Sequence, residues 1–340
     1  MTISDVAKAA EVSISTVSKV INNSSRISQT TKSKVRAIME EMNFHPNSIA
    51  QSFAKQRSRN ICIIKGLGRG WDAVSNPYLY EIINGIEYVA QEENYLLSII
   101  NVDAESDIWL QLKKYVLEKR IDGFLIFASL LNQKLISQLQ LLNFPFLIIG
   151  EFQKQTTASW VDLNNEIAGQ QAVQHLIEIE KRKIMFLSGT DDSIGDKRLH
   201  GVLNYIQSHS IKDVHVKAHY IKTTIDAGSL FCKKILKEGK NPDAIICSSS
   251  IVAAGMLRAL KDCKKEIPQH IAVISFDKYP LSQYTSPTLT IVDMNLHELG
   301  VQCGKTMFEI LKNPQLIIQH LISASSLNIG GSTVRSYDPQ

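Results

Sequence analysis

The first 44 residues contain three short segments in which apolar residues recur at intervals of three and four, the spacing of one face of a helix. Thr2, Ser13 and Ser28 stand directly before these segments, where a side-chain oxygen can cap the first turn. Helices this short are marginal alone, so the pattern predicts that the three pack together. A tight turn between the first two is typical of a helix-turn-helix unit, whose second helix enters the major groove of DNA. An ordinary three-helix bundle has the same periodicity.

From Asn60 onward the pattern changes to short apolar runs that alternate with amphipathic stretches. The runs predict buried strands at 61–65, 96–102, 124–128, 146–150, 184–188, 214–221, 244–248 and 271–276. The amphipathic stretches predict helices near 78–93, 107–119, 132–142, 165–179, 198–208, 226–238 and 251–263. Such alternation is typical of parallel sheets with helices on both faces. Because it runs twice in tandem, we expect two doubly wound lobes with a ligand cleft at the carboxyl ends of their strands.

Charge is concentrated at the N-terminus. Residues 1–60 hold nine Lys and Arg against four Asp and Glu, a net charge of +5, whereas the whole chain of 37 basic and 33 acidic residues has +4. The remainder therefore carries −1. A protein that binds the phosphate backbone of DNA needs its positive charge on one surface, so charge favours the DNA-binding interpretation of the first three helices.

Composition bounds the class of protein. The chain has 340 residues, of which 44% are hydrophobic, and no stretch approaches the roughly 20 apolar residues of a membrane span. The polar N-terminus does not resemble a secretory signal. Five cysteines are scattered without a C-x-x-C pair, which fits reduced residues better than a disulfide framework. We therefore expect a cytoplasmic protein of two or three domains.

The sequence supports none of three kinds of catalytic or cofactor site. The glycines at 66–70 follow a strand but lack the spacing and the helix start of a dinucleotide site. His215 and His219 lie in a strand-like pattern without the glutamate of a zinc-protease motif. No G-x-S-x-G sequence or Cys/His nucleophile context is present. The sequence predicts no catalytic residue, no cofactor and no metal.

The stretches TISDVAKAAEVSISTVSKVIN and ISQTTKSKVRAIMEEMNFHPNSIAQSFA resemble the DNA-binding headpiece of the lac repressor (LacI) family of bacterial transcription regulators. They include the family's D-V-A, V-S-x-x-T-V-S, V-I-N and P-N-x-x-A motifs in order. By resemblance, Ile14, Ser15 and Lys19 read base edges. The positions that hold phosphates are Ser13, Thr16, Asn22, Ser28 and Thr31.

Two positions depart from the family pattern. The turn between the first two helices has Glu11 where family members have glycine, so Glu11 must adopt an uncommon backbone conformation if the turn is the same. Lys19 replaces the usual arginine and loses its bidentate geometry. We therefore expect Lys19 to discriminate guanine from the other bases less strongly than arginine does.

The resemblance also implies a hinge helix, which two protomers lay together in the minor groove. Asn47 and Ala50 match this element, and Phe53 stands where the family has a leucine that wedges between base pairs. An aromatic side chain can also intercalate. A solvated linker with one stray Phe is the alternative.

The rest of the chain resembles the family's sugar-binding core, which is similar to periplasmic sugar-binding proteins. The matching stretches include KRIDGFLI, FPFLIIGE, RLHGVLNYI and LNIGGST. The resemblance implies a headpiece at 1–46, a hinge at 47–59, and an effector-binding and dimerisation core at 60–340. In the core the chain is expected to cross between lobes three times. Lobe one is then about 61–160 plus 293–321, and lobe two about 163–290 plus 322–340.

Effector contacts are implied at five positions: Tyr78, Asn164, Arg198, Ser249 and Asp277. Sugars are bound by planar groups that make several hydrogen bonds, together with an aromatic face. Arg198 and Asp277 match the former and Tyr78 the latter. Each also has a structural alternative, Arg198 as a surface ion pair, Asp277 as a cap and Tyr78 as core packing. Ser249 stands where members often carry another hydrogen-bonding residue.

The sequence therefore predicts a homodimeric, sugar-responsive transcription regulator, most simply a repressor, that binds double-stranded operator DNA. The stretches KGLGRGWDAVSNPY and DGFLIFASL are most similar to maltose-operon repressors of Gram-positive bacteria, which suggests a maltose-type oligosaccharide. The alternative is a cytoplasmic sugar-binding or sugar-modifying protein with an N-terminal helical cap. The net charge of +5 in residues 1–60 and the lack of a recognisable catalytic motif disfavour this alternative.

Overall fold

A computed structural model of the chain describes residues 2–44, 58–66, 77–152, 157–190, 192–278 and 285–334. Two compact units are present, one formed by residues 1–60 with 115–122 and the other by 61–114 with 123–340. No helix within these described ranges has the length and apolar character needed to cross a membrane. Of the predicted hinge, residues 47–57 lie outside the described part, and with them Asn47, Ala50 and Phe53.

The N-terminal unit contains helices α1 (Ile3–Ala9), α2 (Ile14–Ile21) and α3 (Gln29–Glu41). The caps predicted at Ser13 and Ser28 are confirmed, whereas at the start of α1 the side chain that accepts a backbone N–H is that of Asp5. The backbone N–H of Thr2 donates to Asp5 Oδ2 at 2.8 Å, and the Ser13 and Ser28 hydroxyls each accept the backbone N–H three residues later. These bonds satisfy amide groups that have no partner inside their own helix.

The core of the three helices consists of one or two apolar side chains from each of them. Val6, Val17, Val20 and Val35 are at most 1% exposed. The turn between α1 and α2 has Glu11 at φ +54°, in the left-handed region. The uncommon conformation that the sequence required of Glu11 is therefore present, and the turn has the geometry for which glycine is usually selected.

Lobe one of the second unit is built on a six-stranded sheet. Its elements in chain order are β1 (Asn60–Gly66), α4 (Pro77–Glu92), β2 (Leu96–Val102), α5 (Ile108–Leu117), β3 (Gly123–Phe127), α6 (Gln133–Leu141), β4 (Phe146–Ile149), β5 (Trp160–Leu163), α11 (Leu296–Lys312) and β11 (Gln319–Ile322). The strand order is β11-β5-β4-β3-β1-β2. The pairs β1–β3, β3–β4, β4–β5 and β5–β11 are parallel.

Lobe two repeats this architecture. Its elements are α7 (Asn165–Glu178), β6 (Lys183–Gly189), α8 (Ser193–Ser208), β7 (His215–Ile221), α9 (Ile225–Lys237), β8 (Ala244–Cys247), α10 (Ser250–Asp262), β9 (Ala272–Phe276), β10 (Thr290–Asp293) and β12 (Ser326–Asn328). The order is β12-β10-β9-β8-β6-β7, with β12 antiparallel to β10 and the other pairs parallel. The predicted fold class, a helical headpiece and two doubly wound lobes, is confirmed.

The structure also corrects the sequence reading. The hydrophobic pattern did not predict β5, β10, β11, β12 or α11, and α8 begins at Ser193 rather than near 198. Strand β5 continues through Leu163, three residues beyond the predicted limit of lobe one, because it pairs with β11 along its whole length. The chain therefore passes between the lobes after Leu163, after Asp293 and after Ile322.

Candidate functional site

The second helix presents an exposed face of mixed character. Ser13, Ser15 and Lys19 are exposed, and Ile14 in the first turn is 50% exposed although it is apolar. The opposite face is buried through Val17 and Val20. A helix with this arrangement can place apolar and hydrogen-bonding side chains against base edges. The assignment of Ile14, Ser15 and Lys19 as base contacts stays a prediction.

Four of the residues predicted to hold phosphates, Ser13, Thr16, Ser28 and Thr31, lie at helix N-termini, and the fifth, Asn22, lies at a helix C-terminus, where the helix dipole does not favour an anion. Ser13 and Ser28 are N-caps, and their hydroxyls contact those of Thr16 and Thr31 at 2.9 and 2.8 Å. Asn22 is the C-cap of α2 and donates to Ser18 O at 2.8 Å. Helix N-termini with exposed hydroxyls favour anions, so the geometry of these four residues is compatible with phosphate contacts.

A cavity of about 720 Å³ lies between the two lobes at the carboxyl ends of their strands. Lobe one contributes apolar side chains, among them Ile82, Phe127 and Ile149. Lobe two contributes mainly polar ones, which are Asn165, Thr190, Asp192, Arg198, Thr223, Ser248, Ser249 and Asp277. This is the cleft that the tandem pattern predicted. Tyr78 lies in the first turn of α4, and its side chain is outside the described part of the structure.

Arg198 is the centre of the polar wall. It is 5% exposed and donates from Nε to Asn165 Oδ1 at 3.0 Å and from Nη1 to Ser248 O at 2.7 Å. Its two Nη atoms also donate to the Asp277 carboxylate at 3.2 and 3.4 Å. The guanidinium carbon lies 4.5 Å from the centre of the Phe276 ring, where a cation is attracted to the aromatic face. One of the five guanidinium N–H groups makes no such bond within the described residues and can donate to a ligand.

The Arg198–Asp277 pair is buried in the wall of the cavity. Asp277 follows β9, is 8% exposed and has φ +65°. Burial raises the pKa of the Asp277 carboxyl, while the charge and hydrogen bonds of Arg198 oppose the increase. The surface ion pair that the sequence left open for Arg198 therefore does not describe it, because its side chain is buried against the cavity.

The two asparagines between β5 and α7 have different roles. Asn164 is the N-cap of α7, and its side chain accepts the backbone N–H of Ile167 at 3.1 Å. Asn165 is buried, contacts Arg198 and lines the cavity. Asn165 is thus the asparagine of this pair that lines the cavity, and the role of Asn164 as an effector contact stays a prediction. Ser249 lines the cavity and also caps α10.

A second polar cluster at the cavity joins the two lobes, and sequence reasoning missed it. Lys197 of α8 donates to Glu151 Oε2 at 2.7 Å and to Asp162 Oδ2 at 3.3 Å. Both carboxylates belong to lobe one, and Asp162 lines the cavity. Burial alone lowers the pKa of Lys197, but the hydrogen bonds and charges of Glu151 and Asp162 outweigh it and raise the pKa overall. The adjacent basic residues Lys197 and Arg198 were the available sequence signal.

The cavity is therefore suited to a neutral polyhydroxyl ligand with apolar faces. Planar donors and acceptors lie on the wall of lobe two, and the wall of lobe one is mainly apolar but also contains Lys65, Ser129 and Asp162. Small-molecule sites use such a combination for orientation and affinity. Among the described residues no group of three or more His, Cys, Asp and Glu is placed to hold a metal ion.

Comparisons with known proteins agree with this arrangement. The family described as bacterial regulatory proteins, lacI family, matches residues 2–47, and the periplasmic binding protein-like domain matches residues 173–333. The HTH-type transcriptional regulator MalR of Streptococcus pneumoniae serotype 4 is 30% identical over 333 residues, which cover 95% of this chain and 98% of MalR. The ribose operon repressor of Haemophilus influenzae is 27% identical over 318 residues, 92% of each chain.

Among solved structures, the lac repressor dimer bound to operator and the anti-inducer ONPF superposes with a TM-score of 0.80 at 24% identity. The match covers 98% of this chain and 99% of that one. The relatives MalR and the ribose operon repressor are named as transcriptional regulators rather than enzymes. The comparisons therefore disfavour the alternative of a sugar-modifying protein with a helical cap.

Proposed function

Since this chain belongs to the LacI family of bacterial regulatory proteins, we propose that it is a homodimeric repressor of a carbohydrate-utilisation operon. It binds double-stranded operator DNA in the cytoplasm through the α2 face, and a small sugar in the interlobe cavity controls its affinity. A ligand can shift this equilibrium only through different affinities for the two states of the protein. The likeness to MalR over nearly the whole chain supports a maltose-type sugar.

The exposed first turn of α2 is the observation that carries the DNA-binding part. Ile14 is half exposed on the same helix face as the exposed Ser15 and Lys19, which together offer one apolar and two hydrogen-bonding side chains. A thymine methyl is the apolar contact that a major groove offers to such a side chain. We further propose Ser13, Thr16, Asn22, Ser28 and Thr31 as phosphate contacts, and Asn47, Ala50 and Phe53 as minor-groove contacts.

The DNA-binding part is tested by selection of duplexes from a random-sequence library with the full chain. We expect a pseudo-palindromic consensus whose half-sites lie about one helical turn apart or a multiple of it. Its affinity should fall steeply with salt, as expected for release of counterions from phosphates. Equal affinity for selected and random duplexes would exclude a sequence-specific regulator.

The effector part rests on the guanidinium of Arg198 and the Asp277 carboxylate in the cavity wall. A thermal-shift screen of mono- and disaccharides on the full chain should identify a sugar that raises the melting temperature, because a ligand of the native state stabilises it. Arg198→Lys keeps a positive charge beside Asp277 but loses the planar fork. We expect this variant to fold, to bind the selected duplex and to lose the sugar-induced shift. An unchanged shift would remove Arg198 from the effector site.

A further inference from the structure

Asp122 accepts three hydrogen bonds from the chain that precedes β1. Its Oδ1 accepts the backbone N–H and the hydroxyl of Ser58 at 2.7 and 2.9 Å, and its Oδ2 accepts the backbone N–H of Arg59 at 3.0 Å. The backbone N–H of Asp122 donates in return to Asn60 O at 2.8 Å. Four hydrogen bonds thus join two segments that are 64 residues apart at Ser58 and Asp122.

These bonds lie where two neighbouring strands begin. Ser58 and Arg59 directly precede β1, Asp122 directly precedes β3, and the two strands are paired in parallel from Ile61 opposite Gly123. Arg59 has φ +51°, a left-handed conformation that a residue with a side chain rarely adopts. The Asp122 carboxylate therefore binds the amide groups of the two residues that directly precede Asn60, one of which has this left-handed conformation.

We propose that Asp122 is a positioning residue that sets the direction in which the N-terminal DNA-binding segment leaves β1. The inference rests on the proposed function, because that function assigns DNA binding to the segment before Ser58. Hydrogen bonds to a carboxylate are stronger than those between neutral groups, and they hold Arg59 in a conformation that it would otherwise leave. Without the carboxylate, Arg59 relaxes toward the extended region and the preceding segment leaves in a range of directions.

Direction matters because a dimeric regulator contacts two half-sites. Once one headpiece is bound, the second binds at an effective concentration that depends on how its linker is held. A wider range of exit directions lowers that concentration. It does not change the contacts that a single headpiece makes with its own half-site. The proposal therefore predicts a lower affinity for the complete site and an unchanged affinity for a single half-site.

The experiment uses the full chain and two probes, the duplex selected by the wild-type chain and a duplex that carries one half-site of it. Asp122→Ala should weaken binding to the complete site about tenfold and leave half-site binding unchanged. Ser58→Ala removes one of the three bonds to the carboxylate and should weaken complete-site binding about two- to threefold. Glu118→Gln is the matched control. Glu118 is an acid of the same connection whose carboxylate contacts Arg120 at 2.6 Å, and its replacement should leave both affinities unchanged.

Hydrogen exchange reports on the bonds themselves without DNA. The amides of Ser58 and Arg59 should exchange at least tenfold faster in Asp122→Ala than in the wild-type chain, and the amides of β3 should keep their rates. Equal losses on the complete site and the half-site would indicate damage to folding and overturn the proposal, as would wild-type affinity of Asp122→Ala for the complete site. If the wild-type chain selects no duplex, the proposed function itself is wrong. The exchange measurement then still decides whether Asp122 holds Ser58 and Arg59.

Discussion

Gly169→Ala tests whether the close packing of α7 and α8 positions Arg198 in the cavity. A Cβ atom on Gly169 would overlap the carbonyl oxygen of Arg198 and lie 2.9 Å from its carbonyl carbon. Ordinary contacts of this kind begin at 3.4 Å, and the overlap with the oxygen is the larger of the two, so the helices must separate by about 1 Å or more, as in any overpacked core. The obstacle is backbone, which cannot move aside as a flexible side chain can.

Such a shift exceeds the tolerance of the Arg198–Asp277 contact. The two hydrogen bonds are 3.2 and 3.4 Å long, and such bonds weaken rapidly beyond about 3.5 Å. A displacement of about 0.5 Å along the pair therefore breaks both. We expect Gly169→Ala to lower the free energy of unfolding by about 1–3 kcal/mol and to weaken sugar binding at least tenfold.

The assay is isothermal titration with the sugar that stabilises the wild-type chain, together with urea unfolding. Gly255→Ala is the control, because its Cβ would overlap Ile225 O and lie 2.9 Å from the Ile225 carbonyl carbon in the α9–α10 pair. Gly255→Ala should lower the free energy of unfolding by about as much as Gly169→Ala and leave the sugar affinity unchanged. Two results would refute the reasoning: unchanged sugar affinity in Gly169→Ala, or an equal loss of sugar affinity in Gly255→Ala.

Three further predictions concern charge. Lys19→Ala should weaken the binding free energy for the selected duplex by about 1–3 kcal/mol and relax the preference at one base position. Lys32→Ala should instead weaken binding to every duplex and reduce the slope of affinity against salt concentration by about one. If Lys19→Ala loses the same affinity on selected and random DNA, the first prediction is wrong. Lys197→Met should lower the free energy of unfolding, measured with urea, by about 1–2 kcal/mol at low salt and by less at 1 M NaCl. The reason is that the lost ion pairs are partly exposed and therefore screened by salt. A loss of stability that does not depend on salt would argue against a contribution of these ion pairs. Burial lowers the pKa of His175 below its ordinary value near 6.5, so the unfolded chain binds protons first and stability falls as pH drops below about 6.5. His175→Gln should flatten that decline, and an unchanged pH profile would exclude His175 as its source.

The sequence by itself predicted the strands of five or more residues among those described and the three helices of the N-terminal unit. Strands in the middle of parallel sheets are covered by helices on both faces, so they appear as continuous apolar runs. The capping residues of α1, α2 and α3 were identified because a hydroxyl or carboxylate before an amphipathic segment has a local purpose. Glu11 belongs to this group as well, since the turn it occupies depends only on its neighbours along the chain.

Short strands at or near a sheet edge escaped prediction. Strand β11 (Gln319–Ile322) is exposed over three of its four residues, and β12 (Ser326–Asn328) has only three residues. Strand β5 includes Asp162, a charged residue in an otherwise apolar run. Their positions are set by pairing with strands that are distant in sequence, and a local hydrophobic pattern carries no information about that pairing.

In the candidate site, too, the sequence predicted some residues and only the tertiary structure decided others. The sequence identified Arg198, Asp277 and Ser249 as residue types suited to a sugar, and the structure brings all three to one cavity wall. Only the tertiary structure decided that Asn165 rather than Asn164 faces that wall, because a one-residue offset at a helix start separates a cap from a cavity contact. It also decided the contacts of Lys197 with Glu151 and of Asp122 with Ser58. Asp122 and Ser58 meet because β1 and β3 are neighbours in one sheet, whereas Lys197 and Glu151 meet because a helix of lobe two faces a loop of lobe one. Both arrangements are properties of the whole fold.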